Sequence, residues 1–155
     1  MFKHIYANAT VFKWALSYWM PLWGTGITVR SVSPDFHRIV VQMKARWYNR
    51  NAFGVHFGGS LYAMVDPFYC LMLVAILGKD YVVWDKDAQI DFIKPGTGMV
   101  HAVFEWTPQQ VADIKLAVAG GNKHLPVRVV DIVNEAGELV AQVHKTLYVR
   151  KKRPA

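Results

Sequence analysis

Residues 51–66 read NAFGVHFGGSLYAMVD. One histidine, three glycines and a serine stand in front of an apolar run that carries a single carboxylate, Asp66. The run extends from Leu61 to Leu77, and Pro67 directly follows the carboxylate. A membrane-spanning helix needs about 20 apolar residues without a charge, so this shorter, interrupted run reads as a buried core helix. Gly58 and Gly59 fall where that helix should begin. Glycine lets backbone approach a ligand closely, and the first amides of a helix have no internal partners and sit at the positive end of its dipole. Gly78 is placed to end the helix. A central helix is therefore expected over 59–77, with Ser60–Leu77 as its body and Pro67 kinking it beside Asp66.

On either side of this helix the apolar residues change period. Val41–Trp47 alternates apolar and polar residues as a half-buried strand does, after a first strand at Ile27–Ser31 and a turn at 33–35. Val82–Lys94 and MVHAVFEW (99–106) continue as strands around the turn PGTG at 95–98, with Val100, Ala102, Phe104 and Trp106 on one face. Thr107-Pro108-Gln109-Gln110 is a capping-box start for a helical insert over 107–121, striped by Val111, Ile114 and Val118. Val127–Val133 and Leu139–Arg150 close the chain as a hairpin around NEAGE, with Leu139, Ala141, Val143, Leu147 and Val149 on one face. Residues 1–24 form an amino-terminal helical segment, Thr10–Met20 being a helix closed by Pro21. The whole, 1–155, is expected to be a single α+β domain in which a sheet covers the central helix, the element apolar enough to fill its concave face.

Composition narrows the class. Hydrophobic residues make up 53% and charged residues 19%, which excludes a disordered chain. Lys and Arg number 18 against 11 Asp and Glu, a net charge of +7 that favours an anionic partner. Cys70 is the single cysteine, so no intrachain disulfide can form and a reducing, cytoplasmic setting is expected. The six histidines show no metal-ligand spacing, and no metal site is expected. No nucleic-acid motif accompanies the basic surplus. The amino-terminal helix is not cleanly amphipathic and is expected to pack on the fold rather than on a membrane. Lys13 interrupts its apolar run and no small-residue cleavage site follows, so a signal peptide is not expected.

GGSLYAMVD, QIDFIKPG and VDIVNEAGELVAQVHKTLYVRKK together resemble the hotdog-fold acyl-CoA thioesterases of the phenylacetate-pathway type, over roughly Asn51–Arg150. That family places an asparagine, then His-Gly-Gly, then a carboxylate seven residues after the second glycine. Gly59 and Asp66 keep this spacing, and Asn51 falls fifteen residues before Asp66. DPFYCLML and YVVWDKDAQIDF further resemble a branch of hotdog proteins known as a domain of unknown function. The resemblance implies a hotdog fold, a curved antiparallel sheet wrapped around a long central helix. It implies a homodimer or dimer of dimers with active sites built across two subunits. It also implies hydrolysis of an acyl-CoA or acyl-carrier-protein thioester, with no cofactor beyond the coenzyme A of the substrate. Asp66 would be base or nucleophile, facing a thioester bound at the partner's glycine end; the Gly59 amide would stabilise the oxyanion, and Asn51 would position water or carbonyl.

The pattern departs at the histidine, because Phe57 stands between His56 and Gly58. Either the loop carries one extra residue and His56 still reaches the site, or Phe57 takes its place. Gly58, Phe57 and Ser60 line the expected binding end, and Ser60 also reads as a helix cap. Lys145, Arg150 and the basic tail to Arg153 are expected at the phosphates of coenzyme A, or simply solvated. Beside the functional reading, Asp66 has two plainer ones, a solvated helix edge or a pair with a basic residue across a dimer; an unpaired buried charge would demand a functional reason. Cys70 reads as core. Two rival activities stand beside hydrolysis: a hydratase or dehydratase with His56 as base, and a non-catalytic binder of acyl thioesters or lipids.

Overall fold

A computed structural model describes residues 5–153. After a single 3-10 turn at Ile5–Ala7, α1 (Ala9–Ser17) begins at an Asn8 cap whose side chain accepts from the Val11 amide at 2.9 Å. A second short helix, α2 (Met20–Trp23), follows. Pro21 does not close the first helix as expected. It occupies the first turn of the second, where a missing amide hydrogen costs nothing.

The strands are β1 (Ile27–Val32), β2 (Arg38–Lys44), β3 (Tyr81–Phe92), β4 (Met99–Glu105), β5 (Lys123–His124), β6 (Val127–Asn134) and β7 (Leu139–Lys151). All pair antiparallel, in the order β1-β2-β4-β6-β7-β3, with the two-residue β5 also on β7. The long strand β3 thus forms one edge of the sheet and β1 the other. The second strand stops at Lys44 rather than Trp47, which stands 88% exposed. A shift of register between Asp85 and Asp87 marks a bulge in β3.

The central segment lies against this curved sheet, the hotdog arrangement. It runs as α3 (Gly58–Ala63) and α4 (Phe68–Leu77), separated by a turn that contains Asp66 and Pro67. Gly78 caps α4 with φ +77°, a backbone that favours glycine. By length and composition Gly58–Leu77 would suffice to cross a membrane, yet half of it is buried within this chain. Phe68, Met72 and Leu73 are fully buried, each contributing about 1.5–3 kcal/mol of transfer free energy. Phe68 and Tyr69 pack on Phe104 at 5.0 and 5.1 Å between ring centroids, and the Trp106 indole donates to the Tyr69 carbonyl at 3.2 Å. The opposite side of α4, formed by Cys70, Leu71, Val74 and Ile76, is only half covered.

The helical insert is α5 (Pro108–Ala117), closed by the expected capping box: Thr107 Oγ1 accepts from the Gln110 amide and Gln110 Oε1 from the Thr107 amide. Val111, Ile114 and Val118 are its buried stripe.

Candidate active site

The loop that precedes α3 is pinned from within. Asn49 is buried, and its side chain accepts from the Arg46 amide at 2.7 Å and donates to the carbonyls of Thr25 and Lys44. Its carbonyl accepts from the Phe57 amide at 3.0 Å. Asn51 Oδ1 accepts from the amides of Phe53 and Val55, an Asx turn that shapes the next stretch. His56 is fastened to the 95–98 turn through its amide, which donates to the Gly96 carbonyl, and through Nε2, 3.1 Å from the Gly98 carbonyl. A carbonyl can only accept, so Nε2 carries the proton. Nδ1 is then a buried lone pair without a partner among the described residues. Burial lowers the His56 pKa, and the bond to Gly98 opposes that only in part.

These residues meet in one cleft of about 580 Å³. Asn51, Val55, His56 and Gly58 line it from the loop and α3, and Phe92 and Lys94 line it from the end of β3. Among the described residues the amides of Gly58 and Gly59 have no backbone partner; the first bonds of α3 run from Ser60 and Leu61 to the Phe57 carbonyl. Both glycines leave space for rings. A Cβ on Gly58 would meet Phe92 at 3.0 Å, and one on Gly59 would meet Phe57 at 2.4 Å. Phe57 occupies the cap position of α3 with its ring 56% exposed. Ser60 is not the cap: it is the buried third residue of the helix.

Asp66 does not line this cleft. The turn between α3 and α4 carries it to the β7–β3 side of the sheet, where its side chain is 47% exposed. Polar groups hold its carboxylate. Tyr62, one helical turn earlier, donates its hydroxyl to Asp66 Oδ1 at 2.9 Å. Lys145 Nζ lies 3.2 Å from the same oxygen and donates to the Asp66 backbone carbonyl as well. Among the described residues Asp66 Oδ2 has no such partner. On its other side Lys145 Nζ sits 3.1 Å from Asp85 Oδ1, an ion pair that falls short of an aligned hydrogen bond.

Lys145 corrects the expectation placed on it. Its side chain is fully buried between two carboxylates, so in this chain it is not a surface cation for phosphates. It shares the inward face of β7 with Val143 and Leu147, as strand alternation requires. Asp85 stands opposite Leu147 at the β3 bulge and reaches the same spot. Burial pushes the Asp85 carboxyl above its ordinary range despite the adjacent ammonium. Tyr62 is pushed up to about 12, by burial first and then by its bond to Asp66. Asp66 is paired to a basic residue, but within its own chain.

Arg150 is exposed near the end of β7, opposite Val82. Lys151, Lys152 and Arg153 beyond it flank a cleft of about 420 Å³ with Gly120, Gly121 and Asn122. Burial raises the Cys70 thiol to about 12, so it is no nucleophile in this setting. No cluster of His, Cys, Asp and Glu suited to a metal occurs among the described residues.

The sequence matches one family, described as Domain of unknown function (DUF4442), over residues 8–149. No curated protein matches it. Among solved structures, a Pseudomonas aeruginosa protein of unknown function described as a "Probable Thioesterase" aligns with TM-score 0.81 at 14% identity, covering 92% of this chain and 95% of that one. A thioesterase from Haemophilus influenzae gives 0.68 at 18% identity over 93% and 91%. A mutant of the phenylacetic acid degradation protein of Thermus thermophilus gives 0.58 at 23% identity over 82% and 96%. At these identities the likeness establishes the shared fold.

Proposed function

This chain belongs to the family described as Domain of unknown function (DUF4442), and from that family and the hotdog fold we propose that it hydrolyses an acyl-CoA thioester. The observation that carries the reading is the arrangement at Asp66. Tyr62 and Lys145 both hold Oδ1, which fixes the carboxylate and leaves Oδ2 to meet water or substrate. That one of the fold's relatives is named a thioesterase and another a "Probable Thioesterase" supports the same reaction.

Asp66 and the glycine end cannot serve one thioester within one subunit. They are seven residues apart, on the order of 10 Å along a helix, whereas a base and an oxyanion donor must both lie within about 3 Å of the reacting group. Two subunits resolve this. The half-covered side of α4, the open β3 edge, and the exposed Phe57, Phe92 and Ile93 suit burial in a homodimer. In that assembly Asp66 Oδ2 takes a proton from water as the water attacks the carbonyl. The partner subunit's Gly58 and Gly59 amides hold the oxyanion. Collapse expels the thiolate of coenzyme A, which recovers the proton from Asp66. Asn51, committed to its own turn, shapes the cleft in which the acyl group lies.

One observation favours a second reading. The unpartnered Nδ1 of His56, in the lining of the cleft, suits the base of a hydratase or dehydratase. Purified protein offered short, long and aromatic acyl-CoAs separates the two. Release of free thiol supports hydrolysis; interconversion of enoyl and hydroxyacyl thioesters without thiol release supports the second reading and overturns the first.

A further inference from the structure

We infer that the outer face of α1 and α2 is a docking surface for an anionic phospholipid bilayer. Helix α1 is apolar on both sides. Phe12 and Leu16, with Leu22 of α2, are buried in the core. Trp14, Tyr18, Met20 and Trp23 are left on the opposite side, between 51% and 67% exposed. Large rings so exposed are unusual on a surface that meets only water. Their chemistry is specific: Trp and Tyr combine an apolar ring with a polar tip and settle at the level of lipid headgroups. Trp14 and Tyr18 already stack on one another, 5.8 Å between centroids, as one plate.

Cations stand directly beside this plate. A cleft of about 680 Å³ separates α1 from β1, with Trp14, Tyr18 and Trp23 on one wall and Arg30 and Gln42 on the other. Lys13 lies at its rim, 5.3 Å above the Trp14 ring. No carboxylate lines the cleft. Among the described residues Arg30 bonds only the neutral Gln42 amide, at 3.3 Å. Two cations beside three rings match a headgroup phosphate above an acyl boundary. The +7 net charge draws the whole molecule towards an anionic surface. A second copy of this chain fits poorly here, because a symmetric contact would set Lys13 and Arg30 against themselves. A small soluble phosphate could use the cations but would leave the rings in water. Strand β1 lies at the opposite end of the sheet from β3, so docking leaves the β3 edge free.

Flotation of the full chain with vesicles tests this. Phosphatidylcholine vesicles should bind weakly, and vesicles that also contain phosphatidylglycerol should bind well, with a blue shift in tryptophan emission and loss of binding in high salt. Trp14→Ser with Trp23→Ser should weaken partitioning at least about tenfold. Lys13→Gln with Arg30→Gln should weaken binding to the anionic vesicles by about thirtyfold, the loss expected for two cations near such a surface, and leave neutral vesicles unaffected. All four side chains lie outside the core, and circular dichroism confirms that each variant is folded; either pair alone suffices for the test. Equal binding of wild type and both folded variants overturns the inference. So does failure to bind anionic vesicles, complete displacement by inorganic phosphate, or loss of self-association in the tryptophan variant, which would make the face a contact between copies.

Discussion

Replacing Lys145 by methionine keeps the unbranched stem and deletes the ammonium that stands between Asp66 and Asp85. Removing one partner of a buried ion pair costs about 3–5 kcal/mol, because the charge left behind has lost its compensation. Here two carboxylates are left, but they retain 47% and 28% of their side-chain exposure and regain water in part. The low end, about 3 kcal/mol, is therefore expected, which for a chain of this size lowers the melting temperature by about 6–12 °C at neutral pH. The loss should depend on pH. Burial already raises the Asp85 carboxyl, and deleting Lys145 removes the charge that opposes this. A carboxyl with a raised folded-state pKa stabilises the fold fully below its unfolded value and loses that contribution as pH rises through the folded value. Acidification from neutral into the carboxylate range should thus narrow the gap between wild type and variant. Asp85→Asn added to Lys145→Met should recover part of the stability. Thermal melts followed by circular dichroism across this range decide the matter. A variant that melts within about 2 °C of wild type at neutral pH, with a gap indifferent to pH, would mean that the Lys145 ammonium does not stabilise the two carboxylates.

Two further outcomes follow from the same geometry. Gly59→Ala should leave the melting temperature nearly unchanged, within about 2 °C, since the Cβ strikes only the far edge of the exposed Phe57 ring and alanine suits a helix. It should still depress acyl-CoA turnover by moving Phe57, and a normal rate would remove the glycine end from the site. In the basic tail Arg150 and Lys151 pair with β3, so side-chain substitution probes it without disturbing the sheet. Arg150→Gln combined with Arg153→Gln should raise KM and spare kcat if these side chains hold phosphates; an unchanged KM at low salt would leave the tail a solvated one.

Much of the fold was legible because its periods are clean. The alternation in 99–106 and 139–149, the Thr107 capping box and the glycine stop at 78 each name an element by local chemistry, and the structure has each of them. Pro21 misled because one residue both follows a helix end and starts the next helix. The two-residue β5 carries no period, and the β3 bulge that delivers Asp85 carries no sequence mark. Lys145 is the instructive case. Its parity with Leu139, Ala141, Val143, Leu147 and Val149 put it on the inward face, and a buried lysine needs a carboxylate nearby. Its neighbourhood in the basic carboxyl-terminal stretch suggested phosphate instead. The spacing from Gly59 to Asp66 marked the carboxylate. That Tyr62 and Lys145 share its Oδ1 depends on the approach of β7 to the broken helix, which no local pattern encodes.

Whether Asp66 carries out the reaction is decided by Asp66→Asn. The substitution keeps size and shape and takes away the oxygen that can accept a proton. Steady-state turnover of an acyl-CoA that the wild type hydrolyses should fall by at least about a hundredfold, the scale of a lost general base. Affinity for the same acyl-CoA, measured by calorimetry, should stay close to that of wild type. An Asp66→Asn protein that hydrolyses acyl-CoA at the parent rate would mean that Asp66 is not the catalytic carboxylate.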